Sequence, residues 1–349
     1  MGAWRSQRST SRSLQRKVRM RSSKNWLVAG LVILLAGAGI IVHFAVTPLT
    51  IKEADRTITI APGTSLKRIA RDLRDKGLLS ETSRFVWLGR LSGHASGIKA
   101  GVYELPEKIT PLHLLEKFTR GEFSQAEITF IEGWNFRQIR DALNQHPGVK
   151  HHTEDLSDRQ LLDRIGTHDE HPEGLFFPDT YHFAKGASDI QILQSAYRTM
   201  ASILSESWNR RSEGLPFETP YEALIMASIV EKETGRREDR TMIAAVFVNR
   251  LRKHMLLQTD PTVIYGLGSR FDGNLRRVHL ETDGPYNTYT RTGLPPTPIA
   301  APGRESIDAT LHPATISALY FVARGDGSSV FSDSLEEHNR AVQRYQVRR

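Results

Sequence analysis

The feature that most constrains this chain is an apolar run near its start. Trp26 to Val46 contains no Asp, Glu, Lys or Arg, and only His43 can carry charge. Twenty-one residues rising about 1.5 Å each make a helix of about 31 Å, long enough to cross a bilayer core. Eight basic residues (Arg5, Arg8, Arg12, Arg16, Lys17, Arg19, Arg21 and Lys24) precede it, and the first acidic residue is Glu53. That asymmetry predicts a cytoplasmic tail over 1–25, a transmembrane helix over 26–46 with Trp26 at an interface, and an exported body. A cleaved signal peptide is the competing reading. The run exceeds a usual signal core and no small-x-small site follows it, so an uncleaved anchor is expected. No Arg-Arg pair marks twin-arginine export.

The net charge of +8 invites a nucleic-acid partner. Setting the eight tail residues aside leaves 39 basic and 39 acidic side chains, so the body lacks the surplus that phosphate binding needs. Cysteine is absent, which excludes disulfides, thiolate catalysis and cysteine-ligated metals. With 349 residues, two domains of moderate size can each bury a core without staples.

After a linker, Thr57 to Ile60 reads as a strand and Pro62-Gly63 as a turn. Leu66, Ile69, Ala70 and Leu73 then form one helical face, with Gly77 as its stop. The pattern recurs 70 residues on: Ile58, Gly63, Leu66, Ile69 and Leu73 correspond to Ile128, Gly133, Phe136, Ile139 and Leu143. Two copies do not make a solenoid. Thr110-Pro111 starts another helix, which runs to about Phe118. The whole reads as α+β, with a small α/β module at 52–123 and a larger α+β domain at 127–349. His146, His151, His152, His168 and His171 lie in a polar stretch without HExxH spacing; solvated loops explain them, and no metal or other cofactor is expected.

Thr219-Pro220-Tyr221-Glu222 has the form of a capping box with proline at the first helical position. Ala223 to Val230 is uncharged throughout, so this helix should be buried on all sides and should stop at Gly235. It ends in Glu231-Lys232-Glu233. Glu231 falls beside Leu224, Ala227 and Ser228, while Glu233 projects about 200° away. Partial burial would raise a glutamate pKa, the condition for a general acid at neutral pH. Glutamates on an exposed last turn, bonded to Arg236 or Arg237, fit the pattern equally well.

Ala227-Ser-Ile-Val-Glu-Lys-Glu-Thr234, Val246-Phe-Val-Asn-Arg-Leu251 and Leu257-Gln-Thr-Asp-Pro-Thr-Val-Ile-Tyr-Gly266 resemble motifs of the YceG-like family of endolytic murein transglycosylases. Glu173-Gly-Leu-Phe-Phe-Pro-Asp-Thr-Tyr181, Tyr286-Asn-Thr-Tyr289, Gly293-Leu-Pro-Pro-Thr-Pro-Ile299, Pro302-Gly303 and Glu337-His-Asn339 extend the resemblance across residues 26–345. It implies a single-pass inner-membrane protein with a LysM-like module ahead of a periplasmic catalytic domain. Glu231 matches the catalytic glutamate. Glu233, Gln258, Asp260, Tyr286, Asn287, Thr288 and Tyr289 match the saccharide cleft. Peptidoglycan glycan strands are the implied partner, in the company of cell-wall synthases. Two positions depart from the family pattern: Ser329 stands where a histidine is usual, and Gly284 where a serine is usual.

The implied chemistry needs one carboxyl group. Protonated Glu231 donates to the glycosidic oxygen between N-acetylmuramic acid and N-acetylglucosamine, then takes the proton of the muramoyl 6-hydroxyl as that oxygen closes a 1,6-anhydro ring. Two alternatives stand beside it. A hydrolase requires a second carboxylate, for which Glu233 and Asp260 are the candidates. A catalytically silent, membrane-tethered scaffold would need only to grip glycan.

Overall fold

The computed structural model describes residues 28–169 and 171–347. The expected basic tail and Trp26 lie outside the described residues. The chain divides between Ser124 and Gln125 into two compact units.

The first unit opens with α1 (Val28–Val46), a 19-residue helix of mean hydropathy 2.4, long and apolar enough to cross a membrane. Then come β1 (Leu49–Thr50), β2 (Thr57–Ile60), α2 (Leu66–Asp75), α3 (Thr82–Leu91), β3 (Gly101–Glu104), β4 (Lys108–Ile109) and α4 (Pro111–Arg120). β1 pairs with β4 and β2 with β3, both antiparallel. The core gathers Ile58, Leu73, Phe85, Leu114 and Phe118 around fully buried Tyr103. The Tyr103 hydroxyl donates to the Lys99 carbonyl at 2.7 Å, so its polar end is satisfied inside the core. α3 and β3 go beyond the sequence reading. α3 begins without a side-chain cap, and it is held by burying Phe85 and Leu88 rather than by a local signal.

The second unit runs β5 (Gln125–Thr129), α5 (Phe136–Gln145), β6 (Val149–Lys150), α6 (Asp158–Ile165), β7 (Thr180–Ala184), β8 (Ala187–Ser188), α7 (Asp189–Asn209), α8 (Pro220–Glu233), α9 (Arg237–Arg252), α10 (Asp260–Leu267), α11 (Arg277–Glu281), α12 (Arg304–Leu311), β9 (Tyr320–Ala323), β10 (Ser329–Ser332) and α13 (Leu335–Val342). Its ladders are short: β5–β7 and β9–β10 antiparallel, β6–β8 parallel. Helices and small sheets are therefore mixed throughout.

The repeat seen in the sequence is a repeat in space. β2–α2 and β5–α5 each pass through a glycine in the left-handed region, Gly63 at φ +75° and Gly133 at φ +77°. Each then enters a ten-residue helix capped by Ser65 or Asn135. Ile58, Leu66, Ile69 and Leu73 are buried, as are Ile128, Phe136, Ile139 and Leu143.

α8 packs against α7, α9, α10 and α12, and every residue from Ala223 to Val230 is buried. Each large apolar side chain there contributes about 1.5–3 kcal/mol. Two details differ from expectation. The Glu222 carboxylate accepts from the Glu218 amide at 2.6 Å rather than from the cap residue, so the capping box is not closed. The helix stops at Glu233 because Thr234 turns extended (φ −148°, ψ 135°), without a left-handed Gly235.

At the start of α7, fully buried Asp189 accepts from the His152 and Thr153 amides at 2.8 and 2.9 Å and from the Thr153 hydroxyl at 2.7 Å. Burial alone would raise this carboxyl, but the hydrogen bonds prevail and hold it below the ordinary aspartate value. Its contribution is therefore present above the unfolded pKa, about 4, and is lost as pH falls through the lower folded value. Asp189→Ala should cost about 2 kcal/mol in urea unfolding at pH 7, with the deficit shrinking on acidification. An equal deficit at pH 7 and pH 3 would show that the charged form does no stabilising.

Candidate functional site

The two glutamates at the end of α8 face different surroundings. The Glu231 side chain is only 7% exposed, and its Oε2 accepts from the Gly303 amide at 3.0 Å and the Ser306 hydroxyl at 2.7 Å. Arg240 Nη2 stands 3.8 Å from its other oxygen, though Arg240 pairs more closely with Glu305, which also meets Arg237. Glu132, absent from the sequence reading, converges on the same place: its carboxyl fills the space that a Cβ on Gly303 would take. Burial and the neighbouring Glu231 push Glu132 up, against the pull of Arg240. This is an ionic cluster at the start of α12, in which Oε2 of Glu231 takes two donors and Oε1 faces Arg240.

Glu233 opens instead onto a cavity of about 450 Å³, shared with Arg250, Gln258, Asp260, Tyr289 and Tyr320. Burial raises its pKa and the Asp260 charge adds to the rise; the Thr259 hydroxyl, which donates to Glu233, and Arg250 oppose it. Beside it the Tyr289 hydroxyl donates to Asp260 at 2.5 Å. A carboxyl biased toward its protonated form thus sits in the wall of an opening, next to a second carboxyl group that accepts from a tyrosine hydroxyl.

The wall is shaped by an uncommon backbone. His254 and Gln258 both lie at positive φ, 52° and 51°, a conformation costly for non-glycine residues. Arg250, only 7% exposed, braces this turn: Nη1 donates to the Leu256 and Leu257 carbonyls at 3.2 and 2.9 Å, and Nε to the Leu319 carbonyl at 2.6 Å. Its guanidinium also lies over Tyr320, 5.1 Å from the ring centre.

The Tyr286–Tyr289 loop divides its labour. Asn287 is 5% exposed and donates to the carbonyls of His279, Leu280 and Thr282, while its oxygen receives the Tyr289 amide. Thr288 is 2% exposed and bonds the Thr259 amide and the Thr262 hydroxyl. These polar atoms fasten the loop to α11 and to the start of α10. Gln258, Asp260 and Tyr289 line the Glu233 cavity, whereas Tyr286 does not. Ser329, the departure from the family pattern, gives its amide to Asp239 at 2.9 Å.

Tyr286 lines a second cavity of about 880 Å³ with Arg137, His171, Glu173, Lys232 and Tyr265. The two cavities share no lining residue but are walled by chain neighbours, Lys232 beside Glu233 and Pro261 beside Asp260. Glu173 is 3% exposed and accepts from the Phe136 amide and the Tyr265 hydroxyl, each at 3.0 Å. Burial overrides those bonds and pushes it up to about 7. Sequence reasoning placed Glu173 only within a motif. No periodicity reveals a carboxyl whose burial comes from an irregular turn ahead of β7 folding against the start of α5.

A model of the YceG-like family matches residues 58–344. A protein of Bacillus subtilis (strain 168) named endolytic murein transglycosylase is 34% identical over 305 residues, covering 82% of this chain and 84% of its own. A Streptococcus pneumoniae protein of the same name is 27% identical over 321 residues, and the chain spans 57% of that longer relative. The crystal structure of a YceG-like protein from Listeria monocytogenes superposes with a TM-score of 0.51 at 30% identity, over 81% of this chain and 97% of the other.

Glu173 gives a pH test. Its folded pKa of about 7 exceeds the unfolded value, so its contribution is complete below about 4.5 and is lost as pH rises through 7. Against Glu173→Gln, whose amide keeps the shape, wild type should lose about 3 kcal/mol of relative stability between pH 4 and pH 8 in urea titrations. Parallel pH profiles for the two proteins would contradict the raised value.

Proposed function

The chain belongs to the YceG-like family, and from that premise we propose that it is a membrane-anchored lytic transglycosylase that cuts murein glycan strands internally, with Glu233 as its acid and base. The name carried by its relatives supports the reaction. The observation that carries the assignment is a desolvated carboxyl in a cavity wall formed by Gln258, Asp260 and Tyr289. Glu231, the residue matched from the sequence, receives less support, because its Oε2 is bonded to Gly303 and Ser306, its Oε1 faces Arg240, and it lines neither cavity.

In this reading protonated Glu233 donates to the oxygen bridging N-acetylmuramic acid and N-acetylglucosamine as the C1–O bond breaks. The resulting carboxylate removes the proton of the muramoyl 6-hydroxyl, whose oxygen bonds to C1 and closes the 1,6-anhydro ring. The bridging oxygen leaves as a hydroxyl carrying the Glu233 proton, so no water enters. Asp260, positioned by the Tyr289 hydroxyl in the wall of the same cavity, supports positive charge developing at C1.

The same Asp260 favours a second reading, hydrolysis with Asp260 as base or nucleophile. Product ends separate the two: anhydro ends for the transglycosylase, reducing ends for the hydrolase.

α1 supplies the single-pass anchor, and the basic tail supports a cytoplasmic N-terminus with the chain after α1 outside the inner membrane. The β2–α2 turn bounds an opening of about 540 Å³ with Thr59, Ser65, Arg68 and Asp72 on its walls, which suits the glycan grip of a LysM-like module. Synthases that extend nascent strands are the partners this placement suits.

The full chain in detergent, incubated with purified peptidoglycan, should release products with anhydro ends by mass spectrometry. Glu233→Gln should slow release by about 10²–10⁴-fold, and Glu231→Gln by far less. An inactive Glu231→Gln beside an active Glu233→Gln would return the role to Glu231.

A further inference from the structure

The 880 Å³ cavity on the other side of Lys232 takes no part in the proton transfer. Its charges can be paired off. Asp158 meets Arg140 at 3.2 Å, and Arg140 also holds the carbonyls of Thr153 and Leu156. Burial holds the His171 pKa down, which favours its neutral form despite Asp158. Glu173 is sequestered by Phe136 and Tyr265. Two cations remain. Arg137 is exposed and, among the described residues, has no partner; Lys232 donates only to the Gly133 carbonyl at 3.2 Å and meets no acid. The cavity is therefore a polar opening whose uncompensated charge is positive, floored by the crossed rings of Tyr265 and Tyr286, 4.9 Å apart.

Murein sugars carry no net charge once the lactyl group is amide-bonded to its peptide. The negative charge of a strand lies in the carboxylates of the stem peptides. We propose that the larger cavity is a stem-peptide site: it takes the peptide on the muramic acid next to the scissile bond and holds its carboxylates with Arg137 and Lys232. This rests on the transglycosylase reading. The location fits, because Lys232 and Glu233 are adjacent residues facing the two cavities, as are Pro261 and Asp260. A muramoyl ring at Glu233 then has its peptide within reach of the second opening. The volume, about 880 Å³, falls in the range of pockets that enclose a drug-sized ligand, enough for the charged part of a short peptide. The preferred substrate class is peptide-bearing murein with free carboxylates.

The test compares native glycan strands with strands whose peptide carboxyls have been converted to methylamides, using the full chain in detergent. Wild type should prefer native strands by about fivefold to tenfold in kcat/KM, mainly through KM, and Arg137→Glu should bring that ratio to about one. Equal use of both substrates by wild type, or an unchanged ratio in Arg137→Glu, would overturn the stem-peptide site while leaving the transglycosylase reading intact. Absence of cleavage on both would instead strike at that reading. A binding arm decides the site even then. Glu233→Gln should bind a free disaccharide-tetrapeptide, and adding Arg137→Glu should weaken that binding about fivefold or more; equal affinity would refute the site.

Discussion

A helix buried on all sides cannot turn about its axis, and that constraint organises the second unit. Eight consecutive uncharged residues of α8, Ala223 to Val230, are locked among α7, α9, α10 and α12. Rotating them would expose apolar surface and break close packing. The direction of each residue after Val230 is therefore decided before any substrate arrives. Glu231 is delivered to the Gly303 and Ser306 donors, Lys232 to the larger cavity and Glu233 to the smaller one. Three successive side chains serve three surroundings because a helix advances about 100° per residue.

Opposite this end the protein uses a different device. The segment from His254 to Gln258 holds two non-glycine residues at positive φ, and Arg250 repeatedly hydrogen-bonds its carbonyls. Local cost is offset by a buried guanidinium with several acceptors and an aromatic face. The Tyr286–Tyr289 loop then fastens to the far side of the turn through Thr288, whose carbonyl receives the Gln258 amide at 3.1 Å. The cavity wall is thus a chain of supports, and only its last members, Gln258, Asp260 and Tyr289, face the opening.

Much of this was legible in the residues. The α1 run, the α8 burial and the repeated strand-turn-helix follow local rules of periodicity and capping, and the structure has them; the motif segments came from the family resemblance. The roles within the motifs were not legible. Helical spacing told Glu231 from Glu233 by direction, yet the meaning of each direction is set by Gly303, Ser306 and Arg240 on one side and Thr259 and Arg250 on the other. Those neighbours lie 9 to 75 residues away in the chain. Asn287 and Thr288 illustrate the same limit. Polar residues in a loop look like ligand contacts until their partners are seen on the neighbouring helices α11 and α10.

The abrupt finish of α8 has a mechanical corollary. Because Thr234 leaves the helix at once in an extended conformation, Lys232 and Glu233 share one terminal turn with nothing regular beyond it. Any tilt or fraying of that turn must shift both side chains together. A load seated on the lysine side is thereby felt at the neighbouring carboxyl, so grip and scission answer to a single lever only one residue long.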